Sequence, residues 1–386
     1  MRNEFLPLSK PTIGPEEIAE VVDSLESGWI TTGPKVQRFE ELLADVAGAK
    51  HAVAMNSGTA ALHVSLLGLD IGPGDEVITT PITFAATVNM ILAVGARPVL
   101  VDVDRTSLNI IPELVAAAVT PATRAIMPVH FAGLPCDLEA LGEIAKQHGL
   151  DIIEDAAHAI GTLYRGKPIG ALSKATEFSF HPIKNITTGE GGALCTDDDA
   201  LADRARVLRF HGIDRDAWKR YDVKGVPHYD VTALGYKYNM LDLQAALGIH
   251  QIARLPGLVA RRREIAALYR EQLAEVPGLA LPPDSTGEDL HPWHLFVVKV
   301  VPEVIGMDRD TFMATLKTYN IGSALHFQAI HLHSYFAATL GYERGSLPEA
   351  EWASDRILSL PLFPGMSDED AMDVVEAIKS IAGGRA

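Results

Sequence analysis

Short apolar runs alternate with amphipathic stretches between about residues 50 and 200. Runs such as "DEVITT", "RPVLVDV" and "LDIIEDAAH" are rich in Val and Ile and predict buried strands. Stretches such as "FAATVNMILAVG" and "DLEALGEIAKQHG" have helical spacing, and Asp137 is a suitable N-cap for the second. Because strands alternate with helices, we predict an α/β fold built from βαβ units around a mostly parallel sheet.

The pattern changes after residue 200. An irregular, polar stretch over residues 213–240 precedes a long helical tract, which we expect Pro256 to break or kink. "HLFVVKVV" then predicts the first strand of a smaller α+β unit. We therefore predict an N-terminal arm with a large domain over residues 1–254 and a small C-terminal domain over residues 255–386. The run Arg261–Arg263 is expected to be a solvated helix face.

Composition and charge narrow the possible partners. The 386 residues carry a formal net charge of -17, which disfavours nucleic acid and anionic membranes as partners. The sequence has no run of 18 apolar residues, and its N-terminus lacks the apolar core of a signal peptide. Only two cysteines occur, Cys136 and Cys195, too few for a disulfide framework. We expect a reduced, cytoplasmic enzyme.

Two polar motifs stand where predicted strands end. "NSGTAAL" places Gly58 and Thr59 at a helix N-terminus, where free N–H groups favour an anion, although a simple N-cap also explains it. "IIEDAAHAIG" places Asp155 at the end of a buried strand, with His158 three residues later. An unpaired buried carboxylate would cost several kcal/mol, so Asp155 needs a cationic partner. Alone, the second motif is equally consistent with a structural ion pair.

A third motif, "FSFHPIKNITTGEGG", places Lys184 on a loop between two predicted strands. Pyridoxal 5'-phosphate (PLP) requires an anion site for its phosphate, a carboxylate for its ring cation and a lysine amine for its aldehyde. The three motifs together supply these groups. Phe84, which follows another strand, could stack on the cofactor ring, and Ser179 could bind its phosphate. The sequence therefore predicts a PLP site built from strand ends.

Six segments resemble, in order, landmarks of the DegT-related sugar-nucleotide aminotransferases, a branch of the fold-type-I PLP enzymes. They are "NSGTAALH", "GPGDEVI", "EDAAHAIG", "FSFHPIKN", "GEGGA" and "SLPLFPGM". The resemblance covers nearly the whole chain. It implies a large PLP domain, a small C-terminal domain, and a homodimer whose active sites lie at the subunit interface.

The resemblance also implies roles for single residues. Lys184 would bind the cofactor covalently, Asp155 would pair with the ring nitrogen, and His158 would lie near the ring hydroxyl. The remaining cofactor contacts would be Gly58, Thr59 and Ser179 at the phosphate and Phe84 at the ring.

A narrower likeness concerns the substrate. Five segments resemble most closely the UDP-4-amino-4-deoxy-L-arabinose–oxoglutarate aminotransferases: "ESGWITTGPK", "FSFHPIKNIT", "GYKYN", "ARRREIA" and "WHLFVV". This implies that glutamate donates an amino group, leaving 2-oxoglutarate, to the C4 ketone of a UDP-linked pentose. The role would be lipid A modification and antibiotic resistance. The alternative substrate is a UDP- or dTDP-4-keto-6-deoxyhexose.

Further residues are expected on the substrate side of the site and at the subunit interface. Those implied for the sugar-nucleotide pocket are Thr31, Thr32, Gly33, His181 and His326. Lys237 stands where many relatives have an Asn that binds the partner's phosphate, so we expect it to donate across the interface, with Asn239 beside it. Phe84 is a second departure, since some arabinose-type enzymes are expected to have Trp there.

Three other functions are less consistent with the sequence. Sugar dehydratases of this fold replace the cofactor-binding lysine with histidine, and Lys184 argues against them. A PLP-fold transcriptional regulator would need an added basic DNA-binding module. A metal hydrolase could use His326, His331 and His333, but their spacing fits no common zinc motif, so we expect active-site or surface histidines.

Overall fold

The structure is a computed structural model that describes residues 2–214 and 229–384. Strands within these ranges form one large sheet: β1 (His51–Met55), β2 (Glu76–Thr79), β3 (Arg97–Leu100), β4 (Thr123–Met127), β5 (Asp151–Asp155), β8 (Ala175–Ser179) and β9 (Gly192–Thr196). A short hairpin, β6 (Leu163–Tyr164) and β7 (Lys167–Pro168), separates β5 from β8 along the chain. The strand order is β1-β9-β8-β5-β4-β2-β3. Only β9 runs antiparallel to its neighbours, so the predicted mostly parallel sheet is confirmed.

Helices cover both faces of this sheet, as the sequence predicts. They are α1 (Pro15–Ser27), α2 (Pro34–Ala47), α3 (Gly58–Gly68), α4 (Ala85–Ala93), α5 (Pro112–Ala118), α6 (Leu138–His148), α7 (Asp199–Leu208) and α8 (Asp242–Leu273). Successive residues of β1 join two different cores, because side chains of a strand alternate between faces. Ala52 packs in the cluster that contains Phe39 of α2, whereas Val53 packs in the cluster that contains Leu62 of α3. Asp137 caps α6 as predicted.

Helix α8 runs unbroken through Pro256, so of the two predicted outcomes the break is wrong, and the kink stays a prediction. Leu255, Leu258 and Val259 are buried in the core beside it. Burial of several apolar side chains outweighs the roughly 3 kcal/mol that a helix-interior proline costs. The predicted domain boundary at residue 254 falls inside this helix and stays a prediction.

The C-terminal part of the chain forms a smaller α+β unit. Its antiparallel strands are β10 (Leu279–Ala280), β11 (Phe296–Val300) and β12 (Ile357–Leu360), and its helices are α9 (Pro302–Ile305), α10 (Arg309–Thr318), α11 (Ser334–Leu340), α12 (Pro348–Ser354) and α13 (Asp368–Ala382). Phe296, Phe312 and Ile378 lie in its core. Leu6 joins the same core and pairs with Ile321, so the N-terminal arm packs on this unit.

The prediction of a solvated arginine face is wrong for Arg262, which is 2% exposed. Its Nη1 donates to the carbonyl oxygens of Leu362 (2.8 Å), His294 (3.2 Å) and Trp293 (3.3 Å). Burial lowers the pKa of Arg262 to about 10. The neighbouring Arg261 does reach the surface, where it pairs with Asp368. Adjacent positions on a helix point about 100° apart, so one arginine can be buried while the next is solvated.

The predicted irregular stretch, residues 213–240, lies partly outside the described residues, because 215–228 are not among them. The flanking residues form isolated bridges, Phe210 with Lys237 and Met55 with Asn239. Both cysteines are buried and free. Among the described helices, none has the length and apolar character needed to cross a membrane.

Candidate active site

The loop that carries Lys184 joins the end of β8 to the start of β9. Its conformation is held by the N–H of Lys184, which donates to His181 O (2.9 Å), and by the N–H of Thr188, which donates to Phe180 O (3.1 Å). Phe178 and Phe180 are fully buried, and Phe180 packs edge-on against Phe39 at 5.3 Å. The aromatic residues around Lys184 in the sequence therefore anchor the loop in the core.

The amine of Lys184 lies in a low-dielectric pocket. Burial lowers its pKa to about 8, and the negative charge of Asp155 partly opposes that shift. No described carboxylate forms an ion pair with it. An amine with a pKa near 8 is partly neutral at physiological pH, which a nucleophile or a general base requires.

Asp155 and its neighbour Glu154 have different surroundings. Glu154 accepts from His130 Nε2 (2.7 Å) and Thr176 Oγ1 (3.0 Å). Burial opposes protonation of His130, and its contacts with Cys136 and Glu154 raise its pKa. Its Nδ1 accepts from Cys136 N–H (3.0 Å), so the proton directed at Glu154 lies on Nε2. Asp155 is 5% exposed, and its carboxylate accepts only from Thr87 Oγ1 (2.7 Å) and Ala157 N–H (3.2 Å) within the described part of the chain. Glu154 thus has its hydrogen-bond partners within the protein, whereas no described cation forms an ion pair with Asp155, which is left for a ligand.

Three neutral histidines surround Lys184. The His158 ring lies 4.4 Å from His294, and its Nδ1 accepts from Ala132 N–H (3.3 Å). Burial lowers the pKa of His158 well below its usual value, and the charges of Lys184 and His326 add to the shift. His326 lies 2.8 Å from Ser359 Oγ, and burial, helped by Lys184, lowers its pKa to about 4.

Sequence reasoning missed His294. Its two ring nitrogens are buried and have no hydrogen-bond partner among the described residues. Burial lowers its pKa well below the usual value, and His158 and Lys184 contribute. The available signal was a histidine two residues before the buried strand β11, at the start of the segment that predicts this strand.

The start of α3 can bind an anion. Ser57 Oγ accepts from Ala60 N–H (3.1 Å), and no described residue accepts from the N–H groups of Gly58 and Thr59. Gly58 packs on Ser179, since a Cβ added to Gly58 would lie 3.0 Å from Ser179 Cβ. A Cβ added to Gly192 would lie 2.3 Å from Gly58 N, so this glycine lets β9 pass the helix start. The arrangement suits a phosphate.

Phe84 lies at the N-cap of α4 and is 63% exposed. Its ring centroid is 6.0 Å from that of Phe327, which in turn is 5.9 Å from His158. An exposed aromatic ring beside buried polar groups is available to stack on a flat ligand.

The "ITTGP" loop is fixed to the start of α8. Thr32 Oγ1 donates to Met240 O (2.6 Å) and accepts from Asn239 Nδ2 (2.6 Å). Thr31 O accepts from Asp242 N–H, and Gly33 N–H donates to Asp242 Oδ1 (2.8 Å). Sequence reasoning missed Asp242, which is buried and also accepts from the first N–H groups of α2. No described hydrogen bond joins this loop to the group around Lys184.

Lys237 is exposed, and its Nζ lies 4.2 Å from the ring centroid of Phe210 in the same chain. Its carbonyl accepts from Asn56 Nδ2 (3.3 Å), and Asn56 N–H donates to Tyr238 O (2.7 Å). The segment thus runs beside the residues that lead into α3 of its own chain. A contact across an interface stays a prediction.

The three histidines considered for a metal site have separate surroundings. His331 is buried and lies 3.0 Å from Glu351 Oε1, so the expectation of an active-site or surface position is wrong for it. Within the described residues, no group of three His, Cys, Asp or Glu side chains is arranged to hold a metal ion.

Four features of the site fit PLP. The anion site at the helix start fits the phosphate, and the buried carboxylate without an ion-pair partner fits the ring nitrogen. The exposed aromatic ring fits the ring face, and the lysine of lowered pKa fits the aldehyde. These features define a PLP-dependent enzyme. The model of the DegT/DnrJ/EryC1/StrS aminotransferase family matches residues 11–379. The chain therefore belongs to the DegT/DnrJ/EryC1/StrS aminotransferase family.

Known proteins of similar sequence and structure agree. The chain is 50% identical over 384 residues to the spore coat polysaccharide biosynthesis protein SpsC of Bacillus subtilis, covering 99% of this chain and 98% of that protein. The PLP form of Spr1654 from Streptococcus pneumoniae superposes with a TM-score of 0.92 at 32% identity, covering 99% and 100% of the two chains. The sugar aminotransferase CalS13 of Micromonospora echinospora superposes with a TM-score of 0.87 at 34% identity, covering 97% of this chain and 99% of that one. The chain is a PLP-dependent sugar aminotransferase, which confirms the predicted fold class, enzyme class and cofactor.

Proposed function

We propose that this protein transfers the amino group of glutamate to the C4 ketone of a nucleotide-linked sugar, with a UDP-linked 4-keto pentose as the first candidate. The single observation that carries the chemistry is the lowered pKa of Lys184, about 8, beside Asp155 and His158. A buried amine of that kind can bind a cofactor aldehyde and later transfer protons.

Each residue would hold one part of the cofactor. The N–H groups of Gly58 and Thr59, with the Ser179 hydroxyl, would bind the phosphate, and Phe84 would stack on the ring. Asp155 would pair with the ring nitrogen, because its carboxylate has no cation of its own. When bound, PLP accepts the amino group and delocalises the negative charge that forms at the reacting carbon.

His158 is suited to donate to the ring hydroxyl. Its Nδ1 accepts from Ala132 N–H, so in the neutral imidazole the proton lies on Nε2. The lowered pKa of His158 keeps the ring neutral. The neutral amine of Lys184 would then remove the proton from the α-carbon of glutamate and deliver a proton at C4 of the sugar.

Two candidate sugars follow from the sequence and from its relatives. The pentose rests on the arabinose-type segments alone, and with it the role in lipid A modification. The 50% identity to a spore coat polysaccharide protein favours a second candidate, a UDP- or dTDP-4-keto-6-deoxyhexose for a surface polysaccharide. Thr31, Thr32 and Gly33, with His181 and His326, would line the sugar-nucleotide pocket.

A homodimer is part of the proposal. Ile18, Val22 and Leu25 occupy one exposed face of α1, while the polar residues Glu17 and Ser24 are buried on the other. Leu234, near Lys237, is 82% exposed. Apolar side chains clustered in this way usually mark an interface. Lys237 and Asn239 would extend across it toward the partner's phosphate site.

The decisive experiment incubates purified holoenzyme and glutamate with a panel of UDP- and dTDP-linked keto sugars, and identifies the products by mass spectrometry and NMR. We expect amination at C4 of the UDP-linked pentose. A preference for a 4-keto-6-deoxyhexose would replace the substrate and keep the reaction. Activity confined to a 3-keto sugar or a cyclitol ketone would refute the proposal.

A further inference from the structure

A chain of hydroxyl groups leads from the residues after β2 to Asp155. Thr83 Oγ1 lies 2.7 Å from Thr87 Oγ1, and Thr87 Oγ1 lies 2.7 Å from Asp155 Oδ2. All three side chains are buried. None of the roles assigned above uses the two threonines.

The chemistry of the groups sets the direction of these hydrogen bonds. An ionised carboxylate only accepts, so the Thr87 hydroxyl donates to Asp155. A hydroxyl has one proton, so Thr87 must accept from Thr83 in the other bond. The second carboxylate oxygen of Asp155 accepts from Ala157 N–H (3.2 Å). About four acceptor positions exist on a carboxylate, so positions remain for a ligand N–H.

We propose that Thr87 is a positioning residue that orients the Asp155 carboxylate for the pyridine nitrogen of the cofactor and stabilises its negative charge, with Thr83 orienting Thr87. The proposal rests on the role given to Asp155 in the proposed function. A hydroxyl donor to a buried carboxylate favours its ionised form. Thr83 directly precedes Phe84, so the segment that carries the proposed stacking ring also holds the acid in place.

The test uses holoenzyme reconstituted with PLP that is ¹⁵N-labelled at the pyridine nitrogen, because the NMR shift of that nitrogen reports its protonation. Thr87→Val keeps the shape of the side chain and removes the hydroxyl. We expect the nitrogen signal to move toward the unprotonated form and kcat to fall about 10- to 100-fold, the range typical of residues that support a primary contact. The KM for glutamate should change less than kcat.

Two further variants separate the hydroxyl from packing. Thr87→Ser retains the hydroxyl and should restore both the nitrogen signal and kcat. Thr83→Val should change the nitrogen signal and kcat in the same direction as Thr87→Val does, but by a smaller amount. If Thr87→Ser folds but behaves like Thr87→Val, the methyl group matters and the proposal is overturned. If Thr87→Val does not fold, an unchanged nitrogen signal in Thr83→Val overturns it.

Asp155→Asn distinguishes the failure of this inference from the failure of the site assignment. If Asp155→Asn leaves the nitrogen signal unchanged, the role proposed for Asp155 is wrong. If Asp155→Asn changes the signal and Thr87→Val does not, only the hydroxyl chain is refuted. The signal is read from the resting enzyme without sugar, so an incorrect sugar assignment does not affect the result.

Discussion

Glu154 and Asp155 are consecutive in β5, yet their carboxylates have different surroundings. The Glu154 carboxylate is hydrogen-bonded to side chains of the protein, whereas the Asp155 carboxylate keeps acceptor positions free for a ligand. Glu154 accepts from His130 Nε2 and the Thr176 hydroxyl, so its carboxylate is hydrogen-bonded within the chain. The Asp155 carboxylate receives one hydroxyl and one backbone N–H, and no described cation lies within ion-pair distance of it. Because successive side chains of a strand point to opposite faces, one carboxylate can stabilise the fold while the next binds a ligand.

The histidines repeat this contrast. His130, beside Glu154, has a raised pKa, whereas His158 and His326, near Lys184, have lowered pKa values. Burial acts against the charged form in all three, and only His130 has a carboxylate in contact to overcome it. A carboxylate in contact thus separates His130 from the histidines around Lys184.

The largest effect is expected from Lys184→Ala. Removing the amine should abolish covalent cofactor attachment and lower transamination by roughly 10²- to 10⁴-fold or more, since both the anchor and the acid–base group are lost. Borohydride should fix the cofactor to the peptide containing Lys184 in the unmodified protein. Lys174→Ala is the control, because Lys174 pairs with Asp198. A label on Lys174 would contradict the assignment.

Asp155→Asn and Glu154→Gln should have opposite effects. We expect Asp155→Asn to lower kcat by about 10²–10³-fold, as removal of a preorganised charge does, with little change in unfolding by urea. Glu154→Gln should destabilise the fold by about 1–3 kcal/mol, because its amide NH2 would face one of the two buried donors, His130 Nε2–H and the Thr176 hydroxyl, and should largely preserve kcat of the folded enzyme. Equal effects of the two changes on kcat would contradict the comparison.

Lys237→Ala tests whether the partner subunit helps to complete the open site. Loss of a charge-assisted contact to the phosphate should weaken PLP retention by about ten- to a hundredfold. Mixing Lys237→Ala with Lys184→Ala subunits should restore one working site per dimer. Heterodimers that assemble without activity would show that Lys237 acts in its own chain or not at all.

The smallest effect concerns the pH dependence of cofactor capture. A lowered lysine pKa means that the neutral amine is populated above about pH 8, so covalent capture of PLP by the apoprotein should rise with a midpoint near 8. Cyanoborohydride trapping at different pH values measures this midpoint. Asp155→Asn should lower the midpoint of capture, because the Asp155 charge raises the pKa of Lys184. A midpoint near the ordinary lysine value of 10.5 would count against the buried amine.

Much of the site could be predicted from local sequence. Apolar runs followed by polar residues mark the ends of strands β1, β2 and β5 and the loop after β8. They bring Gly58, Asp155 and Lys184 to one edge of a parallel sheet, since strands of such a sheet end on the same side. The roles of these residues stay predictions, although the class of enzyme is confirmed.

The sequence by itself determined the alternation of strands and helices, their caps and the placement of Lys184 on a loop, because these depend on residues close together in the chain. Only the tertiary structure decided the burial of Arg262, the passage of α8 through Pro256, and which of the two carboxylates receives a histidine. Those outcomes depend on contacts between distant positions. Thr87 and Asp155 are 68 residues apart, and Thr32 and Asn239 are 207 apart. Such contacts form only when the packed core brings the segments together, so no local pattern encodes them.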